Sequence, residues 1–223
     1  MKNVILSVIA GATLASCSVA PGGSSYSRLP TDADMVAFSA VVERIEPVGE
    51  RWCRRMARVA NCDFQVFIAP DAGRYANAFQ TLNDDGAPEV IFTPGMVTLA
   101  QNADEQAFVL AHEMAHHILN HIGRAAAAAE ERGDEYANLA GQGGVPQDER
   151  VARSVGKILA VNSYAEEFEL EADVLGAQIA EAAGFDALIG AQFFNRIPEP
   201  GDDFLGTHPP NDQRYAAVVA VVN

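Results

Sequence analysis

Between residues 33 and 58, Met35, Val36, Phe38, Val41, Val42, Ile45 and Val48 recur at three- and four-residue spacings. That period lines one face of a helix, and Pro47 marks a point where the helix can be interrupted. Residues 64–68, Phe-Gln-Val-Phe-Ile, alternate weakly and predict a strand. Two more strands are expected over residues 77–82 and 89–93. Asn83, Asp84, Asp85 and Gly86 between them have hairpin-turn chemistry, so a small antiparallel sheet is expected. Past residue 100 the period becomes helical. Asn102 or Asp104 can cap a helix reaching about Ile122, with Gly123 closing it. The alanine-rich residues 124–140 predict another helix, broken over residues 141–146 by a segment whose glycines suit a mobile lid. A helix over about 148–162 follows. Ser163 and Glu166, in capping-box spacing, start a further one that runs to about Ala183, before Gly184. Residues 212–222 predict a short C-terminal helix. One helix, a small sheet, then several helices define an α+β domain spanning residues 33–223.

Composition narrows the function. Of 223 residues, 49% are apolar and 20% charged, an ordinary globular balance. The formal charge is −15 and the chain has only two lysines, which argues against nucleic acid as a partner. Lys2 followed by the short apolar run 4–14 reads as a signal peptide over residues 1–16. Leu14-Ala15-Ser16-Cys17 resembles a bacterial lipobox, which makes Cys17 the lipidated first residue of the mature chain. Residues 17–32, rich in Gly, Ser and Pro, then form a flexible tether. No later stretch is long and apolar enough to cross a membrane, so the lipid is the expected membrane attachment. Ser18 after the cysteine resembles lipoproteins sent to the outer membrane. With Cys17 lipidated in an exported chain, Cys53 and Cys62 are left to form a disulfide.

Four of the five histidines fall within ten residues: His112, His116, His117 and His121. His112-Glu113-Met114-Ala115-His116 is an HExxH sequence inside an expected helix. Residues four apart share a helix face, so His112 and His116 can grip one zinc ion while Glu113 reaches a water beside it. Apolar flanks bury this helix, and buried imidazoles need a partner. A catalytic zinc needs a third protein ligand. Glu169 and Asp173, also four apart, are the best candidates: one to bind metal, the other to accept a hydrogen bond from a ligating imidazole.

HExxH followed by Glu169 and Asp173 resembles the HtpX-like and prenyl-protease-like zinc endopeptidases, metallopeptidase family forty-eight. Asn77-Ala78-Phe79 looks like that family's strand beside the active-site cleft. Residues 104–121 resemble its active-site helix, and Thr207-His208-Pro209-Pro210 with Arg214 its C-terminal His-Pro segment. The resemblance implies a mostly helical zincin-type (gluzincin) domain holding one Zn2+ on His112, His116 and Glu169. It implies Glu113 as the general base and then acid, and Asp173 as the group orienting His116 or His112. His208 would steady the oxyanion or cap a resting site. His117 and His121 are left as scaffold or surface residues. The implied function is a periplasm-facing, outer-membrane lipoprotein that cleaves unfolded or misfolded envelope proteins, held extended along residues 77–82. A non-catalytic envelope chaperone or adaptor on the same fold is the rival from another class, and a zinc hydrolase of non-peptide amides is a second.

Overall fold

The computed structural model describes residues 28–56, 58–141, 146–199 and 209–222. The expected signal peptide, Cys17, most of the tether, His208 and all but the ends of the 141–146 segment lie outside the described residues.

Helix α1 (Asp32–Met56) continues through Pro47 without a break and buries Phe38, Val41, Ile45 and Val48, the three- and four-residue stripe seen in the sequence. Cys53 at its end is bonded to Cys62, which fixes the loop leading into strand β1 (Gln65–Ile68). Strands β2 (Ala78–Leu82) and β3 (Pro88–Phe92) complete a three-stranded sheet in the order β1-β3-β2. The β2–β3 pair is antiparallel, with Ala78 opposite Phe92 and Leu82 opposite Pro88. Asn83 makes its turn by accepting from the Asp85 and Ala87 amides at 3.0 and 2.9 Å, and Gly86 supplies the positive φ of 73°. β1 is parallel to β3, with Gln65 opposite Glu89. The sheet is therefore mixed, not antiparallel throughout. The turn chemistry at residues 83–86 sets one pair, whereas residues 69–77, which carry the chain from β1 to the far edge of the sheet, have no such signature.

The helical part departs from the sequence reading at two boundaries. Helix α3 (Ala103–Ile118) is capped by Asn102, whose side chain accepts from the Glu105 amide at 2.9 Å. Glu105 in turn accepts from the Gln101 amide at 2.7 Å. The helix stops at Ile118, not near Ile122, because Asn120 takes a left-handed φ of 58°. Gly123 lies inside the next helix, α4 (His121–Gly141), and closes nothing. Helix α5 (Pro146–Ala182) is one continuous rod of 37 residues, so Ser163 does not begin a new helix. No proline interrupts it after Pro146, and an interior serine costs a helix only about 0.5 kcal/mol against alanine. Arg153 pairs with Asp134 and Lys157 with Glu130, an order that sets α4 and α5 antiparallel.

Two short helices had no clear signal, α2 (Pro94–Leu99) and α6 (Ala187–Ala191). Thr93 and Asp186 cap them. Helix α7 (Asn211–Val222) packs on α5. Every residue of α3 from Glu105 to Ile118 is buried, so this helix is the axis of the core. It touches α5 at Gly176, where a β-carbon would lie 2.9 Å from the His112 amide nitrogen. Only glycine lets the two backbones come this close, and the contact sits one turn from Asp173.

Candidate metal centre

His112 and His116 project from one face of α3, and Glu169 and Asp173 project from one face of α5 toward them. The two Nε2 atoms are 3.0 Å apart. Glu169 Oε2 lies 3.4 Å from His112 Nε2, and Oε1 lies 3.3 Å from His116 Nε2. Glu169 thus turns one carboxylate oxygen to each imidazole, one donor atom from each of the three residues lies within 4.8 Å of the others, and all three side chains are buried. Ligands about 2.0–2.1 Å from a tetrahedral zinc stand about 3.3 Å from one another. The separations of 3.0, 3.3 and 3.4 Å lie close to that spacing, and two neutral imidazoles with a carboxylate are a donor set that suits zinc, so the residues fit the ion.

Asp173 faces His112, not His116. Its Oδ1 lies 2.9 Å from His112 Nδ1 in a close but bent contact. Arg214 on α7 grips the same carboxylate with two hydrogen bonds, from Nε to Oδ2 at 2.8 Å and from Nη2 to Oδ1 at 2.7 Å. The guanidinium also lies 3.2 Å from Glu169 Oε2 and rests over the Phe194 ring. Arg214 is 2% exposed, so its charge acts in a medium where screening is weak.

Burial alone would raise the Glu169 carboxyl, but the Arg214 charge and hydrogen bonds from the two imidazoles hold it well below the usual carboxylate range. His112 shows the reverse balance. Burial disfavours its charge, yet hydrogen bonds and charges from Asp173 and Glu169 raise it to about 9. The donor set is therefore basic enough to capture a proton at neutral pH, which is the behaviour expected of a site built for a cation.

Glu113 is fully buried, and neither carboxyl oxygen meets a donor in hydrogen-bonding geometry among the described residues. Burial pushes this group up to about 8, opposed by the charges of His112 and Arg214. The backbone of Gln80 on β2 lies beside it and favours the ionised form. A buried carboxyl so poorly satisfied costs stability, and such groups concentrate where chemistry needs them. β2 is an edge strand of the sheet. Asn77, just before it, exchanges hydrogen bonds with Thr93: its amide donates to the hydroxyl at 2.8 Å and its carbonyl accepts from the Thr93 amide at 2.9 Å. Ala78 is buried and Phe79 half-buried at the start of the strand.

Two histidines set aside in the sequence reading differ in fate. His117 is scaffold: its Nε2 lies 2.7 Å from the Asn61 carbonyl, and Phe64 meets its ring edge-on. His121 is not a surface residue. It is completely buried, with Nδ1 2.8 Å from His116 Nδ1 and Nε2 3.0 Å from Glu171 Oε2. In an unbroken helix, residue 121 would point about 140° away from residue 116. The left-handed turn at Asn120 swings it back, and that turn is what the sequence reading missed.

A metal cation that displaces the His112 proton and draws Glu113 into its ionised form has a measurable signature. Calorimetric titration of the metal-free protein with zinc at pH 7, in buffers of different ionisation enthalpy, should report between one and two protons released. Both groups are protonated there, and both empty above about pH 9. Release should therefore fall away as pH rises, and apparent affinity should weaken as pH drops below about 9, more steeply below about 8. Release below half a proton at pH 7 contradicts the assignment.

Two imidazoles four apart on a buried helix, a carboxylate from a second helix and a buried glutamate beside them define a metallopeptidase-type centre. The family model of peptidase family M48 matches residues 43–222, and the chain belongs to that family. It is also 29% identical over 229 residues to a protein of Vibrio cholerae serotype O1, provisionally named a beta-barrel assembly-enhancing protease. That match covers 94% of this chain and 45% of the relative, so the chain spans about half the relative's length.

Proposed function

We propose that the protein is a zinc-dependent endopeptidase of the bacterial cell envelope, acting on misfolded envelope proteins. The observation that carries the reading is the cluster of His112, His116 and Glu169 with the buried carboxyl of Glu113 beside it, which meets no side-chain donor in hydrogen-bonding geometry among the described residues. His112, His116 and Glu169 would hold the ion. Zinc so held lowers the pKa of a coordinated water to about 7 and polarises a carbonyl.

The rest belongs to the chain. Glu113 takes a proton from the attacking water and returns it to the leaving amine. Burial raises the Glu113 carboxyl, and the charge of a bound cation opposes that rise and favours the ionised form that accepts the first proton. Asp173, fixed by Arg214, holds the His112 ring with Nε2 toward the site. Substrate backbone adds to the β2 edge at Asn77, Ala78 and Phe79, a mode that reads little side-chain identity and suits unfolded chains. A non-catalytic adaptor offers no reason to bury the Glu113 carboxyl beside the metal ligands without a cationic side chain bonded to it.

Envelope location rests on the lipobox-like residues 14–17 and on the name of the Vibrio relative. Radiolabelled palmitate should enter the wild-type chain but not Cys17→Ala, and equal labelling would move the anchor.

The central test is cleavage of casein by the purified chain. One zinc per chain, loss of cleavage with a chelator and recovery on adding zinc are expected. A zinc-loaded protein that leaves casein, and every other unfolded protein tried, intact favours the adaptor. Cleavage of small amides alone favours a non-peptide hydrolase.

A further inference from the structure

We propose that His121 is a positioning residue for His116, fixing by its own tautomer which nitrogen His116 turns to the metal. The inference rests on the zinc reading above and adds to it a line of groups running from the site to the surface of the α4–α5 pair.

The argument is one of donors and acceptors. A carboxylate can only accept, so Glu171 Oε2, 3.0 Å from His121 Nε2, requires a hydrogen on that nitrogen. In a neutral imidazole the other nitrogen is then an acceptor. His121 Nδ1 lies 2.8 Å from His116 Nδ1, so His116 must carry its hydrogen on Nδ1. Its lone pair is left on Nε2, the atom that faces Glu169 and His112. Each step dictates the next, and reversing any one of them sets two hydrogens or two lone pairs against each other in a buried space.

The surroundings hold this line in place. Phe168 stacks on His121, with centroids 4.4 Å apart and planes inclined by only 8°. Arg124 donates to the same Oε2 of Glu171 and lies over the Phe168 ring. His121 itself is completely buried, so no water competes for its two nitrogens from outside. Phe168 and Glu171 are three apart on α5, one face round from Glu169 and Asp173. One helix therefore supplies both ligand support systems: a carboxylate directly behind His112, and a carboxylate acting through a second imidazole behind His116. Groups behind a ligating histidine commonly change metal affinity by about 10–100-fold when removed.

The test uses the full chain, with zinc affinity measured by competition against a chromophoric chelator and with cobalt substituted as a spectroscopic probe. His121→Leu should bind zinc about 10–100-fold more weakly and shift the visible cobalt bands. His121→Asn, whose amide oxygen can accept from His116 Nδ1, should stay within about threefold of wild type and keep its cobalt spectrum. Glu171→Ala, at a partly exposed position, should weaken zinc binding about threefold in wild type and not at all in the His121→Leu background, because the two act in series. If His121→Leu does not fold, Glu171→Ala decides: unchanged melting of the metal-free protein with weaker zinc binding supports the relay. Equal zinc affinity and an unshifted cobalt spectrum in both His121→Leu and Glu171→Ala overturn it, as does failure of His121→Asn to rescue. A wild-type chain that takes up no metal overturns the zinc reading as well. Wild-type uptake with indifferent variants overturns the relay alone.

Discussion

Glu113→Gln is expected to keep its zinc and lose cleavage of casein by about a hundredfold to ten-thousandfold, the range that a general base contributes. The amide fits the same buried space but cannot take a proton from water. A second effect follows from the same burial. In the unfolded chain Glu113 ionises above about pH 4.5, whereas in the metal-free fold it keeps its proton to about pH 8. The unfolded state therefore binds fewer protons across that window, and stability falls as pH rises through it. By pH 7 this amounts to about 3 kcal/mol. Glutamine carries no such liability. Metal-free Glu113→Gln should thus be more stable than wild type at pH 7 and little different at pH 4.5, as urea denaturation would read. Normal turnover by the variant removes Glu113 from the chemistry. A stability gain equal at both pH values removes the account of its burial.

Glu169→Ala should have the largest effect on metal. Structural zinc sites in zinc-finger peptides bind with about 10–16 kcal/mol, and losing one of three protein ligands here should cost roughly a thousandfold in affinity. The variant also leaves Arg214 with Asp173 alone and deprives both imidazoles of their shared carboxylate. Zinc content after dialysis against a weak chelator reads the outcome. An unchanged stoichiometry would place the third ligand elsewhere.

The sequence made the chemistry more legible than the topology. The spacing of His112, Glu113 and His116 puts the donors on one face of a helix whatever surrounds it, and the same is true of Glu169 and Asp173. Their meeting rests on a tertiary contact, the approach of α3 and α5 at Gly176, which no local pattern encodes. The strands at β2 and β3 could be placed because Asn83 and Gly86 announce their turn. The parallel pairing of β1 could not, since it depends on a connection without signature residues. Asn120 is the costliest omission. An asparagine in the left-handed region ends one helix and starts another within two residues, and His121, expected as a scaffold or surface group, becomes one that contacts His116. Asp173 was expected behind either His116 or His112, and only the crossing of the helices sets it behind His112.

Arg214 stands apart from the other residues of the centre in one respect: it is made last. A ribosome completes His112, Glu113, His116, Glu169 and Asp173 while α7 is still unwritten. Until α7 emerges, two carboxylates destined for the interior have no guanidinium to neutralise them, and sealing them away from water is unfavourable. The nascent chain should therefore hold this centre open and unformed, with closure timed to the arrival of a single late cation.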